Sequence, residues 1–275
     1  MKTIVMKSDE MVATHESHSC HVSRVTRFTR AFTIVELLVV ISIIAILAAL
    51  LLPVLAAVKK QGLKTQARLQ ISDIVTAIQQ YDSAYSRFPV SSAAQQAAAG
   101  TNDFTYGGYF NTPGTPTFVG NSYYPTNNSE VIAILMDITN YPNTGLPTAN
   151  ANHQKNPQQT SFLSAKMGDA NNTNGVVGPD LVYRDPWGDP YVISMDLNYD
   201  EQCNDAFYSK QSVSQTQLGS QTGFNGLVNP DTGGNSDNFR YHGKVMVWSA
   251  GPDGKIDPTV NATTGANKDN ILSWQ

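Results

Sequence analysis

The residues able to do chemistry in this 275-residue chain are few and unevenly placed. Past the first thirty positions there are two histidines, His153 and His242, both in loop-like sequence without a nucleophile beside them. No GxSxG, HExxH, CxxC or phosphate-loop spacing occurs. The sequence therefore predicts no enzyme. Hard oxygen donors do gather near the end, in SAGPDGKIDPTVNATTGANKDNILSW, where Asp253, Asp257, Asp269 and Asn270 stand among Gly and Pro turns that free backbone carbonyls. Calcium takes six to eight such oxygens in flexible geometry. Composition alone leaves two readings of this run, a calcium-tied loop and a solvated acidic turn. A second acidic stretch, Asp196-Leu-Asn198-Tyr-Asp200, opens like an EF-hand loop but has Glu201 at the sixth position, where that loop needs glycine. His15, His18 and His21 recur every three residues in a segment without a folding pattern, and read as solvated. The last chemical oddity is Glu36, a lone carboxylate at the leading edge of an apolar run, where an ionisable group is costly and usually functional.

The run that Glu36 leads, Leu37 to Val58, holds 22 uncharged residues interrupted only by Pro53. At 1.5 Å per residue it covers roughly 33 Å, enough to cross a bilayer core. It is too long for the 7–15-residue apolar core of a cleaved secretory signal. Residues 1–31 carry Lys2, Lys7, Arg24, Arg27 and Arg30 against Asp9, Glu10 and Glu16, a balance of +2 that leaves −6 for the rest of a chain of net charge −4. A basic lead places the amino terminus in the cytoplasm, although Lys59, Lys60, Lys64 and Arg68 beyond the run work against that bias. The acidic remainder argues against nucleic acid as a partner. Cys20 and Cys203 fall on opposite sides of the span, so no disulfide between them is expected. Cys20 follows polar residues, which excludes a lipid-anchoring signal.

Beyond Val58 the residues Leu63, Ala67, Ile71, Ile74, Ile78, Tyr81 and Tyr85 recur at spacings of three and four, one apolar face of a helix. One helix is thus expected from about Phe32 to Tyr85, bent at Pro53 and ended by Ser86–Pro89. Residues 90–130 and 140–179 read as loop. Between them Ser129 is expected to cap a short helix over Glu130–Thr139. Strands are expected at Leu181–Arg184, at Tyr191–Leu197 with one face buried, and at Lys244–Ser249. The polar stretch 198–243 reads as surface loop. The class is α+β: a long helix whose outer half packs on a small antiparallel sheet.

The segment AFTIVELLVVISIIAILAALLLPVL resembles the processing and assembly segment of type IV pilins and type II secretion pseudopilins. AIQQYDSAYSRFP, RDPWGDPYVIS and VWSAGPDGKID…NKDNILSW narrow the resemblance to the major pseudopilin, over about half of the mature chain. The resemblance implies a leader, 1–31, cut between Ala31 and Phe32 by a prepilin peptidase, with Phe32 then N-methylated. Ala31 departs from the family's usual glycine. Glu36 becomes the fifth mature residue and Pro53 the twenty-second, as in the family. The implied product is a helical homo-oligomeric filament whose subunits pair Glu36 with a neighbour's terminal amine, since an unpaired charge in a low dielectric is heavily penalised. Other pseudopilins and an inner-membrane assembly platform are its implied partners, and protein export across the outer membrane its work. The implied placement is single-pass in the inner membrane, with residues 86–275 as an outer domain in which 90–180 and 198–243 look like additions. The resemblance also implies calcium at Asp253 and Asp269, with Asn270 and Asp257 as further ligands. The alternative is a minor pilin or adhesin of a type IV pilus.

Overall fold

A computed structural model describes residues 32–99, 103–113, 115–168 and 174–275. Ala31, Cys20, His15, His18 and His21 lie outside them. The chain divides between Leu52 and Pro53 into two units, each described by itself.

In the first unit the helix α1 (Ile34–Tyr85) begins, and Pro53 lies inside it. Residues 32–52 are all exposed, Ile34 at 83% and Leu50 at 66%. α1 is long and apolar enough to cross a membrane. So much contiguous apolar surface marks a place where lipid or other apolar surfaces interact.

In the second unit the outer part of α1 buries Ala67, Ile71, Ile74, Ala77, Ile78 and Tyr81. These are the expected stripe, with Ala77 added and with Leu63 and Tyr85 only half-buried. The helix ends as expected, with Ser86 turning left-handed at φ 49°. Among the described residues three further short helices follow, α2 (Ser92–Ala98), α3 (Ser129–Leu135) and α4 (Gln211–Ser214). The same residues hold eleven short strands: β1 (Phe104–Tyr106), β2 (Gly108–Phe110), β3 (Thr117–Val119), β4 (Met167–Gly168), β5 (Gly175–Val177), β6 (Tyr183–Arg184), β7 (Val192–Met195), β8 (Gln202–Cys203), β9 (Tyr241–His242), β10 (Val245–Ser249) and β11 (Ile271–Leu272). The main sheet has the order β1-β7-β10-β11 and is antiparallel throughout. The class is α+β, a long amino-terminal helix with small, mostly antiparallel sheets, consistent with a pilin-like fold.

Four expectations need correction. Residues 90–130 are not plain loop, because they supply α2, β1, β2 and β3. All three residues of β1 are buried, so no two-residue alternation marks it in the sequence. α3 starts at Ser129 with Asn128 as its N-cap, and Asn128 turns its amide to the backbone of Tyr183 and Tyr191 instead of to the helix. Strand β7 is buried on both faces, not one. Tyr191, Ile193 and Met195 join Ile74, Ile78 and α3 in one core, while Val192 joins Met246, Trp248, Phe207, Tyr208 and Val213 in a second. The stretch 198–243, read as polar surface loop, builds that second core. Its anchor is Asp205, fully buried, which accepts from Phe207 N, Tyr208 N, Ser194 Oγ and Trp248 Nε1.

Candidate functional site

Two groups of residues carry the chemistry, one in each unit. The first is the start of α1. Phe32 is 76% exposed, and Thr33 stands just before the helix. Glu36 N donates to Thr33 Oγ1 at 3.2 Å, while Thr33 N and Thr33 Oγ1 both donate to Glu36 Oε2 at 2.8 Å. This is a reciprocal capping box, in which the residue before the helix and the third helical residue satisfy each other's backbone donors. A carboxylate in the first turn also meets the positive end of the helix dipole. Glu36 is thus folded back onto the residue next to Phe32. The Thr-x-x-Glu spacing that signals this was present in the sequence and went unread. Pro53 lies inside α1 and is exposed; it has no N–H to give the carbonyl four residues back.

The second group is the carboxyl-terminal acidic loop. Strand β10 ends in a tight turn over Gly251–Asp253, and a second turn over Gly265–Asp269 leads into β11. Gly251 has φ +74°, and a Cβ there would stand 2.2 Å from the carbonyl oxygen of Asp269, so only glycine lets the two turns approach this closely. Asp253 and Asp269 are close enough for the charge of Asp253 to act on Asp269. Burial, then Asp253, push the Asp269 carboxyl up, and Lys64 and Lys60 offset part of the rise. Asp269 Oδ1 and Asn270 Oδ1 are buried without a hydrogen-bond partner. Asn270 Nδ2 donates to Tyr208 OH at 2.9 Å. Asp257 is differently engaged, because its Oδ1 accepts from Thr259 N and Thr259 Oγ1 within its own turn.

A carboxylate that sequence reasoning passed over also reaches this loop. A Cβ on Gly254 would meet Asp189 Oδ2 at 2.4 Å, and burial, then the Asp253 charge, push the Asp189 carboxyl up. Asp189 is placed by Asp185, whose Oδ1 accepts from Trp187 N, Gly188 N and Asp189 N, and whose Oδ2 accepts from Ser249 Oγ at 2.6 Å. Ser249 Oγ in turn accepts from Gly251 N. Burial pushes the Asp185 carboxyl up to about 6. The only earlier sign of this link was the RDPWGDP run itself.

Orphaned, buried carboxylate and amide oxygens fit a hard cation such as calcium. Among the described residues, however, no three His, Cys, Asp or Glu side chains converge as a ready-made metal cluster. Backbone carbonyls or water would have to complete the shell. The EF-hand-like stretch has no free oxygens to offer of this kind: Asp196 Oδ1 and Oδ2 accept from Asp200 N and Glu201 N.

Residues 26–52 match the family model described as the prokaryotic N-terminal methylation motif. The match spans the start of α1 with Phe32, Glu36 and the first part of the apolar run, and it supports a type IV pilin-like, prepilin-type protein. No curated protein and no solved structure matches the chain.

Proposed function

We propose that this protein is the structural subunit of a type II secretion pseudopilus, a pilin-like filament that supports protein export across the outer membrane. The methylation motif over residues 26–52 carries the pilin-like part of this reading. The resemblance of the DPWG and carboxyl-terminal segments supports the narrower pseudopilus part. A prepilin peptidase cuts between Ala31 and Phe32, and Phe32 is methylated. The subunit waits in the inner membrane, amino terminus inside and domain outside. It then leaves the lipid as the exposed face of α1 packs against the same helix of its neighbours, with other pseudopilins and an inner-membrane platform assisting.

In that packing Glu36 exchanges its own cap for the terminal amine of a neighbour. The exchange is physically reasonable, because the capping box leaves the carboxylate exposed and one residue from the new terminus. In lipid, two compensating charges cost far less than two separate ones. Calcium, held by Asp253, Asp269 and Asn270, would tie the two carboxyl-terminal turns in a domain that has no disulfide among its described residues. A tip-located minor pilin or adhesin is the competing role, and subunit abundance along the fibre separates the two.

Mass spectrometry of protein purified from a host with its peptidase tests the proposal. A mature chain that begins at N-methylated Phe32 is the expected result; a chain that keeps residues 1–31 in filaments refutes it. Glu36→Ala should abolish filament formation while leaving membrane insertion intact. Filaments formed at wild-type level by that variant would end the pairing mechanism.

A further inference from the structure

The ten residues that follow the apolar run are one-sided in charge. Lys59, Lys60, Lys64 and Arg68 are four cations, and no carboxylate occurs between Glu36 and Asp73. Lys59, Lys60 and Arg68 are exposed and Lys64 is half-buried. The ion pairs among the described residues use His153, Arg184, Arg240 and Lys244, and none of these four. The charges of Lys64 and Lys60 act on Asp269. Residues 69–275, in contrast, hold nine basic against eighteen acidic side chains, a balance of −9. Positive charge is therefore concentrated where an acidic domain meets the span.

Such a placement opposes export. Basic residues flanking a span favour the cytoplasm, and these four outnumber Arg24, Arg27 and Arg30 on the leader side. Their presence against that bias points to work that needs positive charge at this height. At 1.5 Å per residue, Lys59 and Lys60 lie within about 3 Å of the end of the apolar run, Lys64 about 9 Å and Arg68 about 15 Å beyond it. The headgroup layer is on the order of 5–8 Å deep on each side of the hydrocarbon, and screening sets in over about 8 Å. The first three cations thus fall within reach of phosphate groups. At about 100° per residue the four fan over roughly half the helix circumference.

We infer that Lys59, Lys60 and Lys64, with Arg68 above them, form a half-collar that binds anionic phospholipid headgroups at the carboxyl-terminal end of the span. The inference rests on reading residues 37–58 as membrane-spanning. The collar holds the unassembled subunit at one depth, while the same anionic surface repels the domain beyond it and keeps it clear of the bilayer. Leaving the membrane then requires those headgroup contacts to be broken.

The test uses the full chain, leader included, reconstituted in phosphatidylcholine vesicles with trace spin-labelled phosphatidylglycerol or phosphatidylcholine. Electron paramagnetic resonance reads the motionally restricted share of each. Several-fold enrichment of phosphatidylglycerol is expected, because each cation near the surface contributes on the order of a fivefold attraction before screening. The enrichment should collapse in about 0.5 M salt. It should vanish when Lys59→Gln, Lys60→Gln, Lys64→Gln and Arg68→Gln are combined, and persist when Arg24→Gln, Arg27→Gln and Arg30→Gln are combined. The reverse pattern would overturn the proposal, assigning the preference to the leader. Loss of self-association in the collar variant with lipid preference intact would also overturn it, by making the collar a contact between subunits. Resistance of the wild-type chain to alkaline carbonate extraction checks the span separately. Extraction of the wild type would refute the span, whereas lost selectivity in a carbonate-resistant protein refutes only the collar.

Discussion

Replacing Asp205 with alanine should detach the 198–243 segment from the sheet. The carboxylate is fully buried and receives four donors: Phe207 N at 2.9 Å, Tyr208 N at 2.8 Å, Ser194 Oγ at 2.6 Å and Trp248 Nε1 at 3.0 Å. Ser194 Oγ shares a further bond with Thr105 Oγ1, which accepts from Ala206 N. One side chain therefore joins β1, β7, β10 and the inserted segment. Truncation strands these donors, and each costs about 1–3 kcal/mol when it is buried and unpaired. Such losses are not additive, and relaxation recovers some, so about 4–5 kcal/mol is expected, in the far tail for single changes. For a domain of this size that corresponds to a fall in Tm of roughly 10–15 °C. Asp205→Asn should cost about half as much, since one oxygen survives for the two backbone donors while an amide facing Trp248 Nε1 finds another donor. Trp187, Trp248 and Trp274 are the only tryptophans, so intrinsic fluorescence of detergent-solubilised protein, followed against temperature, reads this domain directly. A Tm within 2 °C of wild type for Asp205→Ala, with unaltered emission, would refute the claim that this network docks the segment.

Three further outcomes follow from the geometry. Burial pushes the Asp103 carboxyl up to about 7 from 3.8, so the folded state holds that proton more tightly than the unfolded chain. Its contribution is full below about pH 4 and lost as pH rises towards 7, and Asp103→Asn should flatten that decline in a urea-unfolding series across pH. A variant profile parallel to wild type would contradict this. Gly251→Ala sets a methyl against the Asp269 carbonyl at a positive φ, and should lower Tm by several degrees with the loss centred on the carboxyl-terminal turns in hydrogen exchange; unchanged protection there would be inconsistent with the packing described. Removing calcium with a chelator should lower the melting temperature of the domain, and Asp253→Asn should abolish that response. Identical melting with and without chelator would dismiss calcium at this loop.

Much of the long helix was open to reading from the chain alone. The apolar run, the lone Glu36 and the following stripe of apolar residues depend on helical spacing, which is local, so Ile34–Tyr85 emerged close to its observed limits. The capping box is equally local, carried by the spacing Thr33-x-x-Glu36. Strands β1 and β11 left no such mark, being two or three residues long with no exposed face to alternate with.

The acidic loop divides along the same line. Asp253, Asp269 and Asn270 stood out by composition, but their meeting depends on Gly251 passing the Asp269 backbone, a contact between separate turns. Asp189 and Asp185 lie more than sixty residues earlier and reach the loop through Ser249 Oγ and through the close pass of Asp189 by Gly254. The second core is the clearest case. Phe207, Tyr208 and Val213 are scattered through a stretch rich in Gln, Ser, Asn and Gly, and only their convergence on Val192, Met246 and Trp248 makes the far face of β7 a buried one. Periodicity is a property of neighbours along the chain, whereas burial on a sheet's second face depends on what returns to cover it. The sequence by itself determined the helix and its charge pattern; the tertiary structure decided which polar residues became anchors and which loop became core.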